Sequence, residues 1–187
     1  MIARQTNAGF SLIEIMVTVV ILMVGLLGLA GLQGRALTAQ MESYQRSQAL
    51  ILLKDMADRI NANRGLASSY LTTALNPQWL GTDDAQPASC AGLAGQMLDF
   101  CEWSNALKGA AEKTGGANVG AMIGARGCIT QTIAPASGVA SQYLVAVAWQ
   151  GLNSTAAPSI TCGQNQYGAD EAKRRVIALP VNIADLN

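Results

Sequence analysis

From residue 10 to residue 34 the chain reads FSLIEIMVTVVILMVGLLGLAGLQG, with 17 apolar residues, four glycines and one charge, Glu14. No charge stands between Ile15 and Leu32, and an uncharged run of about 18 residues is enough to propose a membrane-crossing helix. As a helix, Phe10 to Leu32 would reach roughly 35 Å, the depth of a bilayer core. A small domain rarely hides so long an uncharged run inside itself. Ahead of it lies MIARQTNAG, whose positive charges are the free amine and Arg4; behind it lies Arg35. Positive charge on the short N-terminal side keeps that end in the cytoplasm and exports the remainder, a bias that Arg35 weakens without reversing.

Two ordinary explanations compete for this segment. A cleaved secretory signal could use Gly28 and Ala30 as the small residues of its cut site, but the apolar stretch exceeds the usual length of about 7–15 residues and holds a glutamate. A plain signal anchor accounts for everything except Glu14. A carboxylate at the bilayer centre costs about 2.5–3.5 kcal/mol, so an intramembrane acid marks function by default.

The residues around that acid carry a resemblance. Gly9-Phe10-Ser11-Leu12-Ile13-Glu14, after a short basic leader and before MVTVVIL, resembles the signal of type IV pilins and type II secretion pseudopilins. That signature has a glycine before the cut, a hydrophobic first mature residue and glutamate as the fifth. The resemblance implies cleavage between Gly9 and Phe10 by a membrane prepilin peptidase, followed by N-methylation of Phe10. The mature chain would be residues 10–187, without Arg4 and with a side-chain net charge of −1 (11 basic against 12 acidic residues). It also implies that Glu14 pairs with the first amine of a neighbouring subunit, holding register as apolar helices stack. A buried pair of this kind serves specificity better than stability.

Gly25, Gly28, Gly31 and Gly34 recur every three residues. This spacing suits close packing or local unwinding within a filament, although glycine is common in membrane helices generally, and the GxxxG pairing register is absent. No proline occurs before Pro77, where abundant pilins usually carry one. Residues 35–64 contain no proline or glycine, and Leu50, Leu53, Met56, Ala57 and Ile60 fall on one helical face. Gly65 then reads as the stop. One helix from Phe10 to Arg64 would run roughly 80 Å.

The expected fold class is α+β: a long N-terminal helix packed on a small antiparallel sheet. Residues 66–92 read as loop with a short helix, and residues 109–125 as loop. Leu93, Met97, Phe100, Trp103 and Leu107 predict an amphipathic helix over 93–108. Strands are predicted over 127–133, 142–150 and 175–183, the last at an edge because of Pro180. The simplest connection is an antiparallel meander. The boundaries that follow are a cleaved leader over 1–9, a membrane or filament-core half-helix over 10–34, an amphipathic half over 35–65 and a periplasmic head over 66–187.

Four cysteines, Cys90, Cys101, Cys128 and Cys162, all lie in the head. In an exported domain an even number points to disulfides. Cys90–Cys101 and Cys128–Cys162 are the favoured pairs, with the other two connectivities open. The chain has no histidine and no CxxC spacing, so neither a zinc site nor a cofactor is expected, and a His-centred catalytic triad is excluded. No phosphate-binding glycine loop occurs. Asp83–Asp84, Asp99 with Glu102, and Asp170–Glu171 read as solvated surface, as does Lys173-Arg174-Arg175. Trp79, Trp103 and Trp149 read as packing residues, and Asn153-Ser154-Thr155 as a chance glycosylation sequon. Twelve basic residues balance twelve acidic ones, which argues against a nucleic-acid partner. No small-molecule substrate and no catalysis are expected.

The run from QGRALTAQ through QRSQALILLKDMADRINANR resembles PilV-type minor pilins, in which a similar spaced Ala, Leu, Asp, Arg and Asn-Arg series closes the long helix. Residues 99–107 with Trp103, and the VAVAWQG strand, resemble that group too. The resemblance implies a low-abundance subunit that primes type IV pilus assembly at the inner membrane and then sits in the filament near its tip. Its partners would be other minor pilins, the major pilin, the prepilin peptidase and inner-membrane lipid. A minor pseudopilin of a type II secretion system is the alternative.

Overall fold

Leucine-rich sequence without proline builds one helix, α1, over Leu12–Ala62 in the computed structural model of the chain. The structure describes residues 9–109, 113–114, 117–118, 120, 122–169 and 171–184, so the expected leader over 1–9 lies outside the described residues except for Gly9. The chain divides into two compact units, one ending at Met41 and the other beginning at Glu42.

In the second unit α1 buries Gln45, Ala49, Leu53, Met56, Ala57 and Ile60. Leu50, assigned to this face by periodicity, is instead 49% exposed, because Ala49 takes the inward position. The helix also ends earlier than expected. Asn63 leaves helical geometry at φ −110° and ψ 38°, and Gly65 lies inside a 3-10 segment, Arg64–Tyr70. The Asn63 side chain stabilises this exit by donating to the Arg59 carbonyl (3.2 Å) and the Tyr70 hydroxyl (2.9 Å).

A second 3-10 turn, Thr72–Ala74, leads to strand β1, Leu80–Gly81, in a region read from sequence as loop. Helix α2, Gly95–Leu107, buries Phe100, Cys101, Trp103, Ser104 and Leu107. Met97, expected on that face, is 62% exposed. Two short strands, β2 (Lys113–Thr114) and β3 (Ala117–Asn118), pair within the stretch read as loop. The main strands are β4 (Ile123–Ile133), β5 (Ser141–Gln150) and β6 (Arg174–Ile183).

The four-stranded sheet runs β1-β4-β5-β6, antiparallel throughout, with β6 at one edge. Opposite residues share a face. Ile129, Val145 and Leu179 lie in one cross-strand row, and Cys128, Ala146 and Ala178 in the next. The first face covers α1 and α2, where Ile129, Tyr143, Val145 and Val147 join Met56, Ile60, Tyr70 and Trp103 in the main core. The other face packs Ala146 and Ala148 against Cys162 and Tyr167.

Gly127 lets α2 approach the sheet. A Cβ there would sit 2.2 Å from the Trp103 ring, whose indole N–H donates to the Leu52 carbonyl at 2.8 Å. The ring is fully buried and anchored, so it cannot swing aside. Gly127→Ala is expected to destabilise the head by about 1–3 kcal/mol through overpacking, lowering the midpoint of a tryptophan-fluorescence melt of the full chain in detergent.

Candidate assembly surface

The N-terminal unit presents bare apolar helix. The Ser11 carbonyl accepts the Glu14 and Ile15 N–H groups (3.0 and 3.3 Å), which opens α1. Glu14 therefore stands in the first turn, where a carboxylate complements the positive end of the helix dipole. Gly9 and Phe10 precede the helix; Phe10 is 81% exposed, and nothing lies within 4 Å of a Cβ built on Gly9. The Gly9–Phe10 peptide bond is thus open to an approaching protein. Sixteen large apolar side chains between Phe10 and Leu32 are exposed. Burying one is worth about 1.5–3 kcal/mol, so leaving the set in water forgoes roughly 20–50 kcal/mol. Lipid or other apolar helices must cover this surface, and the segment is long and apolar enough to cross a membrane. A Cβ at Gly25, Gly28, Gly31 or Gly34 would meet nothing within 4 Å, so no close approach among the described residues requires those glycines.

The residues singled out at the N-terminus and the four cysteines form separate groups. Cys90 pairs with Cys101 (S–S 2.02 Å) and Cys128 with Cys162 (S–S 2.03 Å), both in the second unit. The first bridge ties the loop before α2 onto that helix. The second fastens the segment after β5 across the outer face of the sheet.

Of the charged groups read as solvated surface, Arg174, Asp84 and Asp99 are buried or half-buried fasteners, whereas Asp83, Glu102 and Lys173 are exposed as expected. Arg174 is 2% exposed; it pairs with Glu171 and donates to the carbonyls of Pro158, Ile160 and Cys162. The Asp84 side chain, also 2% exposed, pairs with Lys108 and accepts the Gly81 N–H (2.8 Å). Asp99 and Glu102 both receive Arg59 (2.8 and 2.6 Å), which also pairs with Asp55 one turn back. Burial opposes the charge on Arg59, but Glu102, Asp99 and Asp55 together hold its titration above the ordinary arginine value. Burial and then the Asp99 carboxylate push the Tyr70 hydroxyl up to about 12. Desolvation costs favour complete sets for charges that are partly withdrawn from water, as Arg59 and Asp99 are here, since removing a single partner strands the others.

Two features escaped sequence reading altogether. Arg126 is pinned by Asp83 and lies over the rings of Trp79 (5.4 Å) and Tyr167 (5.2 Å). Glu42, at the start of the second unit, accepts the Asn153 backbone N–H at 3.0 Å and sits 3.5 Å from Arg175. The Asn153 N–H, followed by Arg175, depresses the Glu42 pKa below its ordinary 4.5. A depressed carboxylate stabilises above its unfolded pKa, and that contribution disappears as pH falls through the lower folded value. On acidification the Asn153 amide resonance should therefore move with a midpoint below 4.5, and Glu42→Gln should abolish the titration.

Comparison with known families assigns this arrangement. The family described as type IV pilin Tt1218 matches residues 31–102, and the prokaryotic N-terminal methylation motif matches residues 4–30. The two matches abut, and the second contains Gly9, Phe10 and Glu14. Together the two matches cover residues 4–102, and what they support is a type IV pilin. No curated protein and no solved structure matches it. The long helix and four-stranded antiparallel sheet of this pilin agree with the α+β fold of the family. That family is structural and not catalytic, and the methylation motif implies pilus components and a prepilin peptidase as partners. The apolar helix fits membrane anchoring. Asp55, Arg59 and Asn63, part of the spaced series at the end of α1, are the residues that this pilin joins to Tyr70 and Asp99.

Proposed function

We propose that this pilin is a PilV-type minor pilin that primes assembly of a type IV pilus and enters the filament at low abundance, near its tip. The observation that carries the reading is an exposed Gly9–Phe10 junction ahead of a bare apolar stretch, residues 10–34, whose one carboxylate, Glu14, stands in the first turn of α1. On this reading residues 1–9 are removed by the prepilin peptidase and Phe10 is N-methylated. Residues 10–34 cross the inner membrane with the N-terminus cytoplasmic, residues 35–65 carry the helix onto the head, and the head over 66–187 lies in the periplasm. The work is done by packing: apolar helix against helix, and head against the heads of other minor pilins and the major pilin. Glu14 is matched by the terminal amine of a neighbouring subunit.

The test is the mass and N-terminal sequence of the protein recovered from cells that assemble pili. A chain beginning at N-methylated Phe10 supports the reading, whereas one beginning at Gly31 points to an ordinary secretory signal. Deletion then separates the two filament systems. Loss of surface pili with secretion intact supports the minor pilin; loss of protein secretion with pili intact makes the chain a minor pseudopilin.

A further inference from the structure

The face of the sheet turned away from α1 carries a groove of about 540 Å³. Its floor is apolar, made by Leu144 and Ala146 of β5 and by the Cys128–Cys162 bridge. One wall is the segment from Thr73 to Trp79, and the other is residues 159–165. Both walls are held from behind. The Trp79 indole N–H donates to the Thr82 carbonyl at 2.9 Å, with Arg126 over its ring. Arg174 grips the carbonyls of Pro158, Ile160 and Cys162 beneath the second wall. A wall fixed in advance loses little freedom on binding.

None of the 14 lining residues is ionisable. The nearby arginines are engaged elsewhere, Arg126 with Asp83 and Arg174 with Glu171. Among the described residues, the side chains of Thr130, Thr161, Gln164 and Asn165 make no hydrogen bond, so their hydroxyl and amide groups face the groove uncommitted. We propose that this groove binds a neutral oligosaccharide.

The chemistry favours that class over its rivals. A sugar ring has C–H faces and a hydroxyl rim; the faces suit the indole, the leucine and the disulfide, and the rim suits the amides and hydroxyls. Phosphate, nucleic acid and acidic glycans would find no countercharge. An apolar peptide side chain would cover the polar rim without pairing it, at a cost of about 1–3 kcal/mol for each group buried unpaired. The volume lies in the ordinary range of small-ligand sites, roughly 300–1,000 Å³. The proposal stands apart from the assembly reading, since it uses a face of the sheet that α1 does not touch.

The experiment uses the full chain in phosphatidylcholine nanodiscs, because glycoside detergents would compete for the groove. It is screened against trisaccharides derived from cellulose, chitin, galactan and mannan, with polyuronate, sulfated glycans and an apolar nonapeptide as comparison arms. The expected result is saturable binding of at least one neutral trisaccharide, with a shift of the Trp79 indole resonance. Thr161→Arg, which fills the groove from an exposed position, should weaken that binding at least about tenfold without altering the melting temperature. Gln164→Ala should weaken it less, and serves as the second variant if the arginine disturbs folding. The proposal is overturned if no neutral trisaccharide binds up to about 10 mM. It is equally overturned if a charged glycan or the peptide binds more tightly, or if both variants retain full affinity.

Discussion

Replacing Glu14 with alanine should leave the cut between Gly9 and Phe10 intact while removing the subunit from sheared pili. The argument separates two demands on one short motif. Cleavage needs an open backbone at the junction, which Gly9 and Phe10 present without help from Glu14. Assembly needs the apolar helix to stack in one register, and sixteen exposed apolar side chains between Phe10 and Leu32 cannot choose a register, because greasy surfaces slide past one another at little cost. A carboxylate among them can, since a charge in the apolar zone is costly when unmatched, up to about 2.5–3.5 kcal/mol at the bilayer centre and less toward the edge where Glu14 stands, and a partner amine offsets that cost in one register only. Losing that pairing is expected to deplete the subunit from filaments at least about tenfold. Immunoblots of membrane and sheared fractions decide it: processed protein at normal level in membranes, with the sheared fraction depleted, is the expected pattern. Normal incorporation of Glu14→Ala would rule out the register role. Glu14→Gln separates charge from size, and on this argument fails as alanine does.

The second large effect belongs to the Cys128–Cys162 bridge. Its ends are 34 residues apart in sequence, and chain-entropy reasoning assigns a closed loop of that length about 4 kcal/mol. Cys90–Cys101 spans 11 residues, for which the same reasoning gives about 3 kcal/mol. The longer bridge has a second task, because it clamps the 158–168 segment over Ala146 and Ala148 and buries the Tyr167 ring there. Domains of this size are stable by about 5–15 kcal/mol, so Cys128→Ser with Cys162→Ser should consume much of that margin. Thermal melts of the full chain, oxidised and with each pair replaced in turn, provide the comparison. Equal melting temperatures for the oxidised chain and the 128/162 variant would refute the ranking, as would a larger loss for the 90/101 pair.

The long helix, the three main strands and the edge position of β6 are legible in the sequence because each rests on local signals: an uncharged run, alternation, and Pro180. The interior charges are not. Arg59 meets Asp99 40 residues away, Lys108 meets Asp84 24 away, and Arg174 meets carbonyls 12 to 16 away. Solvent is the default partner for a charge in sequence, and only the packed chain supplies another. The misplacement of Leu50 has a related cause: periodicity marks an apolar stripe, but which flank faces inward depends on Trp103 lying across Leu52 from α2. β1 is two residues long and pairs with Gly127 and Arg126 of β4, too little chain to leave a pattern. Gly9, Phe10 and Glu14 fall within six successive residues, a local pattern that the methylation-motif match covers. Glu42 leaves no such local pattern, since its partners Asn153 and Arg175 lie more than 100 residues on.

The edge strand has a consequence for how copies of this pilin avoid one another. A free β-edge invites a second chain to extend the sheet, and a filament holds many heads at high local concentration. β6 ends in two arginines on one side, Arg174 and Arg175, and carries Pro180 three residues from the other end. Proline offers no N–H to an incoming strand, so a ladder along the open edge is interrupted at Pro180. Sheet-to-sheet growth, the route by which crowded β-domains aggregate, is hindered along β6.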